Sequence, residues 1–224
     1  MYRFERKFIV DNPHFPLDIF IRTLKIPFKE VYHPRIINNV YFDTQELQAY
    51  KDNIVGKAER KKLRLRWYDE KNAEIYKPKL EYKIKKSLLG IKKTYSIMPV
   101  NHRDELLNKD AIYRNFRASE LPLQVMDDLL GRIPVLINQY HRKYYASLDG
   151  KVRITVDSDI SFRRFNFYAN RGFIKAQVPV IVEVKYDQDD EEYGRQIGQM
   201  LPFRMTKFSK YQIGIEKTYT YYAH

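Results

Sequence analysis

Lys62, Arg64 and Arg66 alternate with Leu63, Leu65 and Trp67. In a β-strand successive side chains point to opposite faces, so this stretch offers a row of cations on one side and an apolar row on the other. The pattern returns at Arg3/Glu5/Lys7, at Glu81/Lys83/Lys85, at Arg153/Asp157 and at Glu183/Lys185. Carboxylates recur among these rows in one frame, Glu-x-Lys, at Glu5, Glu81 and Glu183. The chemistry such rows suit is the gripping of a polyanion, because Arg and Lys make strong charge-assisted hydrogen bonds to phosphate oxygens. A carboxylate set among them suits Mg²⁺ or Mn²⁺, which takes carboxylate oxygens together with substrate phosphates. The bland alternative is a set of solvated strand faces with local charge balance. Repetition in strand after strand argues against it.

Composition narrows the classes. The 224 residues carry a formal net charge of +13, and 31% are charged and 15% aromatic. A balance that basic calls for an anionic partner: nucleic acid, anionic lipid, or a highly charged small molecule or polymer. With no cysteine, disulfides and thiolate metal sites are excluded. His14, His33 and His102 show no metal-ligand spacing, and His141 reads as a surface or helix-packed histidine. No Gly-rich phosphate loop is present, which argues against a Walker-type ATPase. The charged opening Met1-Tyr2-Arg3-Phe4-Glu5-Arg6-Lys7 is not expected to be a secretory signal, and no apolar run nears the ~20 residues of a membrane helix. The expectation is a cytoplasmic protein.

The elements that must position these residues follow from periodicity. Strands are expected over 2–10, about 58–69, 77–87, 91–98, 134–146, 151–158 and 179–187, with a broken extended segment over 29–43. Helices are expected over 16–25, from about Gln45 to Asn53 with Asp43 or Thr44 as cap, in two pieces within 102–132, and over about 189–200. Turns are expected over 70–74 and 87–90, and the chain closes in a strand or helix at 214–222. Trp67 reads as a core anchor. Asp157 is expected to pair with Arg153 or to bind a second cation. Strands joined by short turns with helices at intervals suggest one domain, residues 1–224, of the α+β class but dominated by β structure. The expected architecture is a closed antiparallel β-barrel, its cationic faces inward and its helices packed outside. A dry interior of that kind would be very costly, whereas a wet one hosting a polyanion would not.

Phe4-Glu5-Arg6-Lys7-Phe8, Tyr41-Phe42-Asp43-Thr44, Arg64-x-Arg66, Leu80-Glu81-x-Lys83, Tyr140-x-Arg142, Glu183-Val184-Lys185 and Phe208-Ser209-Lys210-Tyr211 occur in the order of the VTC domain, and the chain resembles that family from residue 3 to about 216. The family it resembles is the polyphosphate polymerase domain, in its bacterial type, within the triphosphate tunnel metalloenzymes and their CYTH-like relatives. The resemblance implies a tunnel barrel of about eight antiparallel strands. It implies phosphate binding by Lys7, Arg64, Arg66, Lys83, Lys92, Arg142, Lys185, Lys210 and Ser209, with Arg64, Arg66, Arg142 and Lys210 at the reacting phosphoryl groups. Glu183 and Glu5 would hold Mn²⁺ or Mg²⁺, and Tyr211 would shape the tunnel mouth with Ser209. Lys92 competes with Lys93, since a one-residue slip reverses facing.

The activity implied is transfer of the γ-phosphoryl of ATP to a growing polyphosphate, with tri- or polyphosphate hydrolysis and non-catalytic polyphosphate binding as alternatives. The partners implied are ATP and polyphosphate or another triphosphate. Room is left for a membrane-protein partner, and no specific nucleic acid is expected. One departure separates the readings. CYTH triphosphatases open with Glu-x-Glu-x-Lys, where this chain has Arg3-x-Glu5-x-Lys7. Replacing the first carboxylate with a cation weakens the case for hydrolysis.

Overall fold

A computed structural model describes residues 3–12, 14–69, 75–86, 89–165, 174–175 and 180–221. The turn expected over 70–74, the Ser87-Leu88 corner, and the outer ends of the segments expected at Tyr2, Pro179 and Tyr222 lie outside them.

In chain order the elements are β1 (Arg3–Val10), α1 (Leu17–Arg22), β2 (Phe28–Asp43), α2 (Gln48–Ile54), β3 (Glu59–Asp69), β4 (Lys79–Lys86) and β5 (Leu89–Ser96). A 3-10 turn (Arg103–Leu107) leads into α3 (Lys109–Ala118) and α4 (Leu123–Leu130). Then come β6 (Ile133–Ser147), β7 (Val152–Arg164), β8 (Ile174–Lys175), β9 (Val180–Asp187), α5 (Glu191–Met200), β10 (Arg204–Thr206) and α6 (Lys210–Tyr221). The strands expected from period-2 alternation are present. The segment over 29–43 is one continuous strand, and the closing segment is a helix that begins at Lys210.

The hydrogen-bonded strand order is β10-β1-β9-β7-β6-β2-β3-β4-β5, with β8 joined to β7. Among the described residues β10 and β5 are the two ends of this order and do not pair with each other, so the sheet is open and the expected closed barrel is not formed. Alternating faces set which side of a strand is apolar, but closure requires the end strands to meet in register. Here the end strand β10 is only Arg204–Thr206, paired on one edge with Ile9, Phe8 and Lys7 of β1, and its other edge has no strand partner among the described residues.

The chain divides into two compact units. One comprises residues 1–35, 140–160 and 177–208. Its core takes Phe8 and Val10 from β1, Val152, Ile154 and Val156 from β7, and Val182, Val184 and Tyr186 from β9. Leu17 and Ile21 of α1 and Ile197 of α5 complete it. Residue 194 of α5 must be glycine for close approach: an added Cβ would lie 2.1 Å from the Tyr186 ring.

The other unit comprises residues 36–139, 161–176 and 209–224. Its core is the apolar face of β2–β4 (Val40, Phe42, Leu63, Leu65, Trp67, Leu80, Tyr82), covered by Ile112 and Phe116 of α3 and Val125 and Leu129 of α4. Asn108 caps α3 by accepting from the Ala111 amide at 3.0 Å. Trp67 is buried in this core, as expected. Two helices depart from the expectation that helices pack outside. Asn53 of α2 accepts from Lys62 Nζ at 2.8 Å and donates to Gln212 of α6 at 2.8 Å. Lys62 belongs to the cationic face of β3, so α2 and α6 meet the polar side of the sheet. Asn53 and Gln212 supply polar contacts there that an apolar helix face could not.

Candidate functional site

In the second unit, register fixes the cationic face. Tyr41 of β2 is paired with Arg64 of β3, Arg64 with Glu81 of β4, and Glu81 with Thr94 of β5. One step along, Asn39 is opposite Arg66 and Arg66 opposite Lys79. One step the other way, Lys62, Lys83 and Lys92 form a transverse row of three like charges. Directly opposed like charges destabilise a sheet, and Glu81 offsets the charge of Lys92. Lys92, and not Lys93, shares the face of Arg64.

Glu81 lies at the centre of these rows. Its Oε2 accepts from Arg64 Nε at 2.6 Å and lies 2.5 Å from an Arg64 terminal nitrogen. Its Oε1 accepts from Lys92 Nζ at 2.6 Å and from Arg66 at 3.4 Å. Burial pushes the Glu81 carboxyl up, but the charges of Arg64, Arg66 and Lys92 outweigh it and hold it well below the usual carboxylate range. Burial pulls the Lys92 ammonium down despite Glu81. Arg66 Nε donates to Asn39 at 2.9 Å, and Arg64 donates to the Tyr41 hydroxyl at 3.3 Å. Lys210 opens α6 and is buried, Lys83 is exposed, and Ser209 Oγ accepts from Lys62 at 3.2 Å. The Tyr211 ring lies 5.1 Å from that of Tyr41, and its hydroxyl donates to Asp43. Asp43 also accepts from the amides of Thr44, Ala49 and Tyr50, and Thr44 Oγ1 from that of Gln48, so both satisfy first-turn amides of α2 although the N-cap position itself is Leu47 and not, as expected, Asp43 or Thr44.

The first unit carries a second charged face. Lys7 of β1 is opposite Glu183 of β9, and Glu183 is opposite Thr155 of β7. Glu5 is opposite Lys185, and Lys185 opposite Arg153. Glu183 accepts from Lys185 Nζ at 2.6 Å, from Arg142 at 3.3 Å and from Thr155 at 3.4 Å. Lys7 Nζ lies 3.4 Å from Glu5 and 3.8 Å from Glu183, and donates to the Phe208 carbonyl at 3.0 Å. Arg142 makes a two-pronged pair with Asp157, at 2.5 and 2.7 Å. Asp157 therefore pairs with Arg142 and not with Arg153 as expected, because the register places Arg153 beside Lys185 and Asp157 beside Ile181. His141 is an exposed partner of Asp159.

Among the described residues no three His, Cys, Asp or Glu side chains gather as a metal cage. Glu5 and Glu183 nevertheless border one cation position, that of the Lys7 ammonium. Two carboxylates of this kind fit Mg²⁺ or Mn²⁺ only when phosphate oxygens and water complete the shell, which is how Mg²⁺ is commonly held.

Along the sequence Glu81 is grouped with Glu5 and Glu183 as one of three Glu-x-Lys carboxylates suited to a metal, which misses its place between Arg64, Arg66 and Lys92. The signal is its position on β4 opposite Arg64 of β3, which only the register reveals.

The fold is β-dominated, and in each unit opposed charged rows surround a buried carboxylate that pairs with several cations. The family model of the VTC domain matches residues 2–219, and the chain belongs to that family. Among solved structures, it is similar to a protein of Pyrococcus horikoshii (TM-score 0.56, 16% identity, 96% of this chain and 99% of that one). It is also similar to a protein of Vibrio parahaemolyticus described as a candidate adenylate cyclase (TM-score 0.50, 14% identity, 93% of this chain and 95% of that one). At these identities the likeness is one of fold. No match to a curated protein was found. Family membership supports a polyphosphate-related function in a phosphoryl-transfer family. Among the described residues no helix is long and apolar enough to cross a membrane.

Proposed function

We propose that residues 1–224 act as one functional domain, a polyphosphate polymerase that transfers the γ-phosphoryl of ATP to a growing polyphosphate and releases ADP. The observation that carries this reading is the opposed row Lys62, Lys83 and Lys92 beside Arg64 and Arg66, a concentration of positive charge on one strand face that a phosphate chain would neutralise. Phosphoryl transfer through a loose transition state asks for alignment and charge stabilisation more than for a protein nucleophile. Arg64, Arg66 and Arg142 would clamp phosphoryl oxygens through their planar forks. Lys7, Lys83, Lys92, Lys185 and Lys210 would add point charges, and Ser209 a hydroxyl. Glu183 and Glu5 would hold Mg²⁺ or Mn²⁺, which when bound neutralises charge on phosphoryl oxygens. Arg3 in place of a first-strand carboxylate favours transfer over hydrolysis, since fewer acidic groups remain to hold a metal and a water.

Incubation with ATP and Mn²⁺ or Mg²⁺ tests this. A ladder of polyphosphate on a gel, with ADP released in step, is the expected result. ADP with orthophosphate and no polymer would assign a hydrolase instead, and turnover of neither ATP nor tripolyphosphate would leave a binding domain.

A further inference from the structure

Beneath the arginines assigned to phosphate lie carboxylates that no phosphate would touch first. Glu81 is only 7% exposed, whereas Arg64 and Lys92, which it holds, are 27% and 49% exposed. An anion arriving from solvent therefore meets the cations before it meets Glu81. The carboxylate is anchored in mid-strand directly across from Arg64; its Oε2 accepts from the Nε and lies 2.5 Å from one terminal nitrogen of that guanidinium, whose other terminal nitrogen donates to the Tyr41 hydroxyl at 3.3 Å. An arginine held at two nitrogens has its plane fixed, and the orientation of its remaining edge is set in advance. The first unit holds a related pair, with the arginine buried as well at 10% exposure. Asp157 is fully buried and takes Nε and a terminal nitrogen of Arg142, whose same terminal nitrogen also reaches Glu183.

We infer that Glu81 and Asp157 are positioning residues, each fixing the guanidinium plane of a phosphate-gripping arginine from behind. The alternative role for Glu81 is a placeholder anion, occupying the seat that phosphate later takes. The two roles predict opposite signs. A placeholder competes with phosphate, so its removal tightens binding. A positioning carboxylate pre-orders the arginine, so its removal weakens binding even though the local charge becomes more positive.

This inference rests on the phosphate-binding reading, and the test separates the two. Tripolyphosphate binding to the full chain is measured by titration calorimetry for the wild type, Arg64→Ala, Glu81→Gln, Glu81→Asp and Asp157→Asn. If the wild type does not bind, or Arg64→Ala binds equally well, the phosphate-binding reading itself falls. With binding established, Glu81→Gln is expected to weaken it by about tenfold, the worth of one well-placed charged hydrogen bond. Glu81→Asp, which keeps the charge but shortens the reach, should recover part of the loss. Asp157→Asn should weaken binding in the same direction. Unchanged or tighter binding by Glu81→Gln would overturn the positioning role. Where Glu81→Gln does not fold, Glu81→Asp decides, and a dissociation constant equal to the wild type's would overturn it.

Discussion

Removing Arg142 should unmask a buried carboxylate, and the size of that effect can be worked from the structure. Asp157 is fully buried, and Arg142 supplies its two-pronged partner at 2.5 and 2.7 Å. Arg142→Met leaves Asp157 without that partner, and breaking a buried pair from one side costs about 3–5 kcal/mol. Asp157→Asn is milder. The amide oxygen still accepts from the guanidinium, and Arg142 keeps Glu183 at 3.3 Å, so about 1.5–3 kcal/mol is expected for the weakened charged hydrogen bonds. The double variant removes both charges and leaves at position 157 a buried amide, which costs far less than a carboxylate without its guanidinium, while Glu183 keeps Lys185. Its cost should fall short of the sum of the singles by about 2 kcal/mol or more. Equilibrium unfolding in urea, with the m-value checked for constancy, measures all three. Costs that add to within about 0.5 kcal/mol would mean the two groups do not depend on one another, and the account of this pair would be wrong.

Arg64→Lys should lose phosphate affinity almost as fully as Arg64→Ala, because one ammonium cannot hold Glu81 at two nitrogens and also reach an anion; equal affinity for Arg64→Lys and wild type by calorimetry would refute this. Acid should weaken the fold through Glu81. Its folded pKa lies below the ordinary 4.5, so its contribution is full above about pH 4.5 and is lost as pH falls toward the folded value; relative to wild type, the thermal midpoint of Glu81→Gln should be less sensitive to pH over that window, and parallel curves would count against it. Gly194→Ala should cost about 1–3 kcal/mol by overpacking, since its Cβ would meet the Tyr186 ring at 2.1 Å; a neutral result in thermal unfolding would show that α5 can shift away.

Much of the site was legible because strand period is an unambiguous code. The alternation of Lys62, Arg64 and Arg66 with Leu63, Leu65 and Trp67 gave the cationic and apolar faces of β3 directly. What the sequence could not carry was pairing. Lys92 and Lys93 are distinguishable only once β5 is in register with β4, and Glu81 gains its meaning only across the strand from Arg64. Barrel closure was expected from strand number and polarity, yet neither says whether end strands meet. The start of α6 was hidden for another reason. Ile213, Thr218, Tyr219 and Tyr221 favour strands intrinsically, but Ser209 accepts from the amides of Gln212 and Ile213 and begins the helix. Gly214 then lets the helix approach Leu136 and Phe162, where a Cβ would lie 2.5 and 2.7 Å from their side chains. Such tertiary contacts override propensity and leave little trace in local sequence.

The central claim is that the cations on one face of β3–β5 grip phosphate. A crystal structure of the full chain grown with tripolyphosphate tests it most directly. The expected result is an anion with phosphoryl oxygens within hydrogen-bond distance of Arg64, Arg66 and Lys92, and Glu81 still bonded to Arg64 behind it. Tripolyphosphate bound only elsewhere, for instance at the exposed Arg114 and Arg117 of α3, with Arg64 and Arg66 untouched, would contradict the account.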